Sequence, residues 1–216
     1  MTIDPHPVGT FRRWWRSVLA APTPDDHAPQ RVAVRARQPR FGTAVVADAR
    51  ITSARRGDRH EFTSNADAFV QIVRLAIVTD SFLAQTCYRA KVGCQIRRIP
   101  ILPRVLHRLA VITGQISIDD PVVMQPGVYI PHGQVVIDGD TEIAPGVILM
   151  PFVTVGLRSG YDGGPSVGGR AAIGTGAKVL GPVRVGQRAQ IGANAVVLTD
   201  VSDGATAVGV PARILS

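Results

Sequence analysis

The sequence predicts a mainly β fold, a solenoid of hexapeptide repeats that follows a small α-helical region. Two observations carry this prediction: aliphatic side chains recur every six residues through the second half of the chain, and apolar residues at helical spacing precede them. A six-residue period fits neither an amphipathic helix nor a single alternating strand. It fits a solenoid in which each short strand is followed by a tight turn. An ordinary β-sandwich, the alternative, would not be expected to keep that period for so long.

The repeats form three ladders of aliphatic residues, and the longest one reads small-x-aliphatic-Gly-x-x. Glycine suits a backbone that turns sharply after the aliphatic residue. In chain order, the rungs of the ladders are Ile118, Met124 and Ile130; then Ile137, Ile143, Leu149 and Val155; then Ile173, Val179, Val185, Ile191 and Val197. The residue two positions before each rung is usually small or branched as well, and Thr141 is the polar exception in the second ladder. We expect these side chains to form the core.

The first and second ladders differ in register by one residue. Ile137 follows Ile130 by seven positions instead of six, so one extra residue lies in the stretch Pro131-His132-Gly133. An extra residue cannot be absorbed in a packed wall and bulges outward, as a β-bulge does. We therefore expect the histidine to leave the core and to have a catalytic or ligand-facing role. The structural alternative is that it only caps a turn.

Helices are predicted before the repeats. Thr63-Ser64-Asn65 is a helix start signal, and the apolar residues after it recur at helical spacing. We expect a break near Val92-Gly93 and a shorter helix over about residues 103–112. The predicted segments are 1–62, basic and poorly structured with one short amphipathic helix; 63–113, α-helical; and 114–216, the repeat domain.

The basic residues are concentrated in the first part of the chain. Residues 1–113 contain 18 basic and 8 acidic residues, against 6 and 8 in the remainder. Such a charge suits nucleic acid, acidic lipid or an anionic cofactor, but no recognisable nucleic-acid module accompanies it. Residues 11–20 read as a basic amphipathic helix, which docks on its own protein or on a partner more often than on a membrane surface.

Neither a cleaved signal peptide nor a transmembrane span is expected, because no stretch is long and apolar enough. Cys87 and Cys94 are the only cysteines. Without neighbouring histidines they do not form a metal site, and we expect buried thiols in a reducing cytoplasm.

Several motifs resemble those of the hexapeptide-repeat acetyltransferases, most closely the serine acetyltransferase-like branch. They are the helical segment CYRAKVGCQIRRIPILPRVLHRLAVITGQISI, the protruding Gly-rich loop LRSGYDGGPS, the tract IGTGAKVLGPVRVGQRAQIGANAVVLTDVSDG and the ending GVPARIL. The resemblance covers about residues 75–216. It implies a left-handed parallel β-helix and an acetyl-CoA-dependent O-acetyltransferase. It also implies a homotrimer with acetyl-CoA, a co-substrate and not a resident cofactor, in clefts between neighbouring subunits.

The resemblance assigns roles to five residues. His132 matches the general base, and an imidazole can take the proton of an acceptor hydroxyl as it attacks a thioester. Thr175 and Ala193 match positions whose backbone faces the pantetheine arm of CoA, and Gly156 matches a position near the thioester. Arg213 matches an arginine directed toward the CoA phosphates, for which guanidinium is suited. A solvated terminal charge is the alternative for Arg213.

The chain departs from the family at the acceptor end of the site. Ser117 stands where an aspartate orients the histidine, Pro131 replaces a second aspartate, and Gly163-Gly164 replace an Arg-His pair. In the family these residues hold the ammonium and carboxylate of the amino acid. We therefore expect a sugar or another hydroxyl compound as acceptor, with serine O-acetylation and an inactive trimeric β-helix scaffold as alternatives. We also expect the histidine to lack a charged partner, so that Ser117→Asp would raise activity.

Overall fold

The computed structural model describes residues 28–215, and side chains from residue 33 onward. The chain divides into two units, residues 1–33 and 34–216. Five helices precede the strands in the described part: α1 (Ala28–Arg37), α2 (Phe41–Arg55), α3 (Asn65–Val78), α4 (Phe82–Ile96) and α5 (Leu102–Gly114). The helix expected over residues 11–20 lies outside the described residues. No helix within 28–215 is both long and apolar enough to cross a membrane.

Helices α1 and α2 lie in the segment that composition predicts to be poorly structured. The buried face of α2 explains the difference, because it includes Asp48, Thr52 and Ser53 beside small residues such as Ala44 and Ala49. A helix that buries polar side chains shows little apolar periodicity in its sequence, and periodicity is the signal on which the expectation depended.

The helical region is interrupted at two places, and neither is the predicted break near Val92-Gly93. Ser64 caps α3 as predicted, since its Oγ accepts the amide of Asp67 at 3.1 Å. Helix α4 continues through Gly93 to Ile96, so the break before the last helix lies at residues 97–101. A second break, which the sequence did not predict, begins at Thr79. The Thr79 hydroxyl donates to the carbonyl of Leu75 at 2.7 Å and accepts the amide of Phe82 at 3.3 Å. One side chain therefore ends α3 and starts α4, with Asp80 between them.

Fourteen short strands follow within the described residues. They are β1 (Ile116–Ile118), β2 (Val123–Met124), β3 (Val135–Ile137), β4 (Glu142–Ile143), β5 (Ile148–Leu149), β6 (Thr154–Gly156), β7 (Ser166–Val167), β8 (Ala172–Ile173), β9 (Lys178–Leu180), β10 (Arg184–Val185), β11 (Gln190–Ile191), β12 (Val196–Val197), β13 (Thr206–Val208) and β14 (Arg213–Leu215). Parallel pairing stacks them into a first sheet (β1-β3-β6-β9-β12), a second sheet (β10-β7-β4-β2) and a third sheet (β14-β13-β11-β8-β5). Only the β13–β14 pair among them is antiparallel.

Every rung that the six-residue period predicts is buried. All twelve are at most 3% exposed and belong to one continuous core. Thr141, the polar exception, is also fully buried, and its hydroxyl donates to the carbonyl of Asp138 at 2.6 Å. The periodic pattern therefore identifies the inner wall of a parallel β-helix, as predicted.

Strand pairing locates both irregularities of the solenoid. A regular coil takes eighteen residues, as between Val179 and Val197. The first coil takes nineteen, because Ile118 pairs with Ile137, which confirms the one-residue insertion between Ile130 and Val135. The pairing of Ile143 with Val167 spans twenty-four, so six further residues enter as the protruding loop after β6.

Helix α4 covers the open end of the first coil with a row of polar side chains. Backbone groups at an uncovered coil end would otherwise be buried without partners. The donors and the carbonyls that they reach are Ser81 to Ile130, Gln85 to Val128, Tyr88 to Val122, Arg89 to Met124 and Gln125, and Lys91 to Ile118. These hydrogen bonds hold the helical region in a fixed position against the first coil.

A buried ion pair reinforces this contact. The Nε of Arg89 lies 2.9 Å from Oδ2 of Asp48 in α2, and both side chains are almost fully buried. Asp48 Oδ1 also accepts the amides of Gly127 at 2.8 Å and Val128 at 3.2 Å. Burial raises the pKa of Asp48, against the opposing charge of Arg89. The pair therefore joins α2, α4 and the first coil.

Candidate active site

His132 lies at one corner of the β-helix, immediately after the third-sheet face of the first coil. Tyr129 pairs with Ile148, which pairs with Ala172, which pairs with Gln190. The corner that follows these residues therefore stacks His132, Pro151, Thr175 and Ala193 on successive coils, and we call it the His132 corner. At a strand spacing of roughly 4.8 Å, Thr175 and Ala193 lie roughly 10 and 14 Å along the axis from His132.

The chain turns outward at His132 because the next residue is a glycine. A Cβ on Gly133 would lie 1.7 Å from the carbonyl oxygen of Gly114, at the end of α5. The amide of Gln134 donates to the same oxygen at 3.3 Å. The inserted residue is therefore accommodated by close backbone packing against α5, and the His132 side chain is exposed.

Gly114 in turn contacts the loop between α3 and α4. A Cβ on Gly114 would lie 3.1 Å from the carbonyl oxygen of Asp80 and 2.7 Å from Cβ of Ala84. On the other side of the bulge, the buried hydroxyl of Ser81 donates to the carbonyl of Ile130. Close packing on both sides therefore fixes the α3–α4 loop beside the bulge.

This packing brings a carboxylate to the histidine. Nδ1 of His132 lies 3.0 Å from Oδ2 of Asp80, and the two side chains are 62% and 76% exposed. A bond through Nδ1 leaves Nε2 available to an incoming group. The expectation that His132 lacks a charged partner, based on Ser117, is therefore wrong. Sequence reasoning missed Asp80 because one predicted helix ran through it, although the flanking Thr79 and Ser81 are residues that favour helix ends.

Thr175 and Ala193 are exposed and lie on adjacent turns of the His132 corner. The amide of Asn194 donates to the carbonyl of Thr175 at 2.8 Å. Gly174 permits this stacking, since a Cβ there would lie 2.8 Å from the amide nitrogen of Ala193. The structure thus brings these two predicted positions into one line with His132.

Gly156 lies at a different corner, the one that follows the first sheet. It ends β6, and the protruding loop begins at the next residue. Oδ1 of Asp138 accepts the amide of Leu157 at 2.8 Å, and a Cβ on Gly156 would lie 1.6 Å from that oxygen. Asp138 therefore fixes the base of the loop. Within one chain, Gly156 does not share a corner with His132.

The protruding loop cannot carry the family's Arg-His pair in this backbone conformation. Gly163 has φ of +88°, which side chains rarely adopt, and a Cβ on Gly164 would lie 2.9 Å from the amide nitrogen of Thr141. The cation of the loop is instead Arg158, whose guanidinium carbon lies 4.3 Å from the ring centre of Tyr161. Tyr161 is half exposed. The loop thus offers an exposed aromatic and guanidinium surface in place of the missing pair.

Arg213 is exposed in β14, where it pairs with Val208. Tyr129, three residues before His132, pairs with Ile148 of β5 at one end of the third sheet, while β14 lies at the other end. The structure therefore separates Arg213 from His132 by the length of the sheet.

Two curated relatives of the chain are named serine acetyltransferase. The chain is 39% identical to that of Helicobacter pylori strain J99 over 136 residues, which are 62% of this chain and 80% of the relative. It is 34% identical to that of Synechococcus elongatus over 137 residues. That match covers 62% of this chain and only 56% of the relative, so this chain spans little more than half of the longer protein. No protein-family model matches the chain.

Solved structures show the same fold. Soybean serine acetyltransferase complexed with serine has a TM-score of 0.68 and 27% identity, covering 82% of this chain and 70% of that one. A serine acetyltransferase in complex with CoA has a TM-score of 0.67 and 25% identity, with 85% and 73% covered. With the parallel sheets, these likenesses confirm a left-handed β-helix preceded by helices. The chain therefore belongs to the serine acetyltransferase family of hexapeptide-repeat acyltransferases.

Proposed function

We propose that the protein is an acetyl-CoA-dependent O-acetyltransferase in which His132 is the general base. The observation that supports this most directly is the pairing of His132 Nδ1 with Asp80, which leaves Nε2 for the acceptor. Nε2 takes the proton of the acceptor hydroxyl as its oxygen attacks the thioester carbonyl. The tetrahedral intermediate then expels CoA, whose sulfur receives the proton. Direct transfer needs no acyl-enzyme intermediate.

Acetyl-CoA is proposed to lie along the His132 corner. The pantetheine arm passes the turns at Thr175 and Ala193, and the phosphates lie toward Arg213. Gly156 is at another corner of the same chain. The Gly156 that lies near the thioester is therefore that of a neighbouring subunit. The acyl group thus lies between subunits of a homotrimer.

The trimer is open to a direct test, since a site made of two subunits requires association. Sedimentation velocity at micromolar concentration is expected to give the mass of three chains, and acetyl-CoA should not change it. A monomer that still transfers acetyl groups would contradict the two-subunit site.

For the acceptor, we propose a sugar or another hydroxyl compound that lacks an amino acid's paired charges. Pro131 and Gly163-Gly164 provide no charged grip, and the backbone at Gly164 leaves no room for one. The exposed ring of Tyr161 and its stacked Arg158 suit a sugar, which packs on an aromatic face and accepts hydrogen bonds from guanidinium. Serine is the second candidate, and it is favoured by the names of the relatives and by the soybean complex with serine.

An acceptor screen separates these candidates. CoA release is measured with a thiol reagent in the presence of serine, simple sugars or nucleotide sugars, and the His132→Ala protein gives the hydrolytic background. We expect a sugar to be acetylated with kcat/KM at least roughly a hundredfold above that of serine. The ammonium and carboxylate of serine would lose their water without gaining charged partners in this site, and unpaired polar groups lower kcat/KM by at least this factor. Serine turnover with a micromolar KM would contradict the choice of acceptor. Absence of release with every acceptor would instead favour the inactive scaffold.

A further inference from the structure

We infer that Asp80, from the helical region, is the positioning residue of His132 and takes the place of the aspartate missing at Ser117. The inference rests on the proposed general-base function. It assigns to the loop between α3 and α4 a part in the reaction that sequence reasoning gave to the coils alone. The enzyme's helices are then a component of its active site.

The carboxylate of Asp80 contacts the imidazole of His132 directly. Asp80 Oδ2 lies 3.0 Å from His132 Nδ1, although the two residues are 52 positions apart in the chain. Ser117 lies in β1, where it pairs with Val136, and its hydroxyl carries no charge. Two other carboxylates of the early coils are already engaged, since Asp120 binds the ammonium of Lys91 at 2.9 Å and Asp138 binds the amide of Leu157. Asp80 is therefore the carboxylate that the structure gives to His132.

The packing around this contact supports the same assignment. The residues on both sides of Asp80 are held in place. Thr79 fixes the end of α3, and the buried hydroxyl of Ser81 donates to the carbonyl of Ile130. Ile130 precedes His132 by only two residues. Gly114 separates the two loops and, lacking a side chain, lets both backbones approach it. An exposed ion pair has little strength of its own. Here the backbones on both sides are held in place, so the pair's geometry does not depend on that strength.

The chemical consequence concerns the tautomer and the charge of the imidazole. A carboxylate that accepts Nδ1–H keeps the lone pair on Nε2, where the acceptor hydroxyl must deliver its proton. It also stabilises the imidazolium formed when that proton arrives. Ser117 could accept a hydrogen bond but could not stabilise the positive charge. Asp80 thus acts through His132 and does not touch the substrate.

The test compares Asp80→Asn with Glu61→Gln, which removes the same charge from an exposed position in the loop before α3. We expect Asp80→Asn to lower kcat at least roughly tenfold, with the KM for acetyl-CoA unchanged, because loss of the orienting carboxylate disfavours the working tautomer. Asp80→Glu should recover part of the loss, and Glu61→Gln should match the parent. Unchanged kcat in Asp80→Asn would overturn the inference.

A second readout does not require turnover. Nitrogen-15 NMR of the imidazole is expected to show the Nδ1–H tautomer of His132 in the parent and a smaller share of it in Asp80→Asn. An identical tautomer share in the two proteins would contradict the role of Asp80 even if no acceptor were found. If Asp80→Asn reduces the Nδ1–H share but the parent transfers acetyl to no acceptor, the positioning role is supported and the proposed function is rejected.

Ser117→Asp provides an independent check in the otherwise unchanged protein. Because Nδ1 already has a carboxylate partner, the substitution should leave kcat within about twofold of the parent, a change of less than 1 kcal/mol in the barrier. A large gain would show that Asp80 leaves His132 without an effective partner, and it would restore the expectation drawn from sequence.

Discussion

Replacing His132 with alanine is expected to lower turnover by at least roughly two orders of magnitude, since a positioned general base contributes roughly a hundred- to ten-thousandfold in rate. The side chain is exposed and is not a rung of the core, so the thermal midpoint and the state of association should persist. The affinity for CoA should also persist, because the turns at Thr175 and Ala193, which we propose as its binding site, are unchanged. Turnover, thermal midpoint and CoA affinity are measured on the same preparation.

His60→Ala is the matched control for this substitution. His60 is an exposed histidine in the loop before α3, and none of the contacts around His132 involves it. Its replacement should alter none of the three quantities. A His132→Ala protein that folds, binds CoA and retains turnover close to that of the parent would eliminate the general-base role.

The largest loss of stability is expected from breaking the buried pair between Asp48 and Arg89. Removing one member of a buried pair leaves an uncompensated charge, which typically costs about 3–5 kcal/mol. Arg89→Ala also leaves the carbonyls of Met124 and Gln125 without their donor. Asp48→Ala leaves the amides of Gly127 and Val128 without their acceptor. Urea unfolding of each variant measures the change in the free energy of unfolding.

The double variant and a surface control sharpen this test. The two residues share one network. The double variant, which carries both Asp48→Ala and Arg89→Ala, should therefore lose clearly less free energy of unfolding than the sum of the two single losses. Arg74→Ala removes an arginine from the exposed ion pair with Asp58 and should cost much less. Additive losses, or a single loss no larger than that of Arg74→Ala, would show that the helical region does not depend on this pair.

The repeat region was predictable in detail because its information is local. A short strand and a turn recur every six residues, so every sixth side chain, from Ile118 to Val197, faces the interior. Periodicity alone therefore identifies the core. The one-residue slip at His132 was readable for the same reason. An interruption is visible against a regular pattern, and strand pairing confirmed its position.

The helical part of the site was not predictable in the same way. Asp80 meets His132 through two glycine contacts and a buried serine, and no short-range pattern relates residues 52 positions apart. The helix around Asp48 was missed because its buried face carries a charged side chain, Asp48, which is paired with Arg89 of another helix. Polar side chains that are satisfied by distant partners look, in sequence, like an exposed surface.

The covering of the first coil by α4 has a consequence for polymerisation. A stack of identical parallel coils presents at each end a row of backbone groups that another molecule could extend, as in fibrils. Here the side chains of α4 occupy carbonyls of the first coil, so this end of the stack does not offer a free row of backbone acceptors. The helix that follows Asp80 therefore also blocks the addition of another coil at this end.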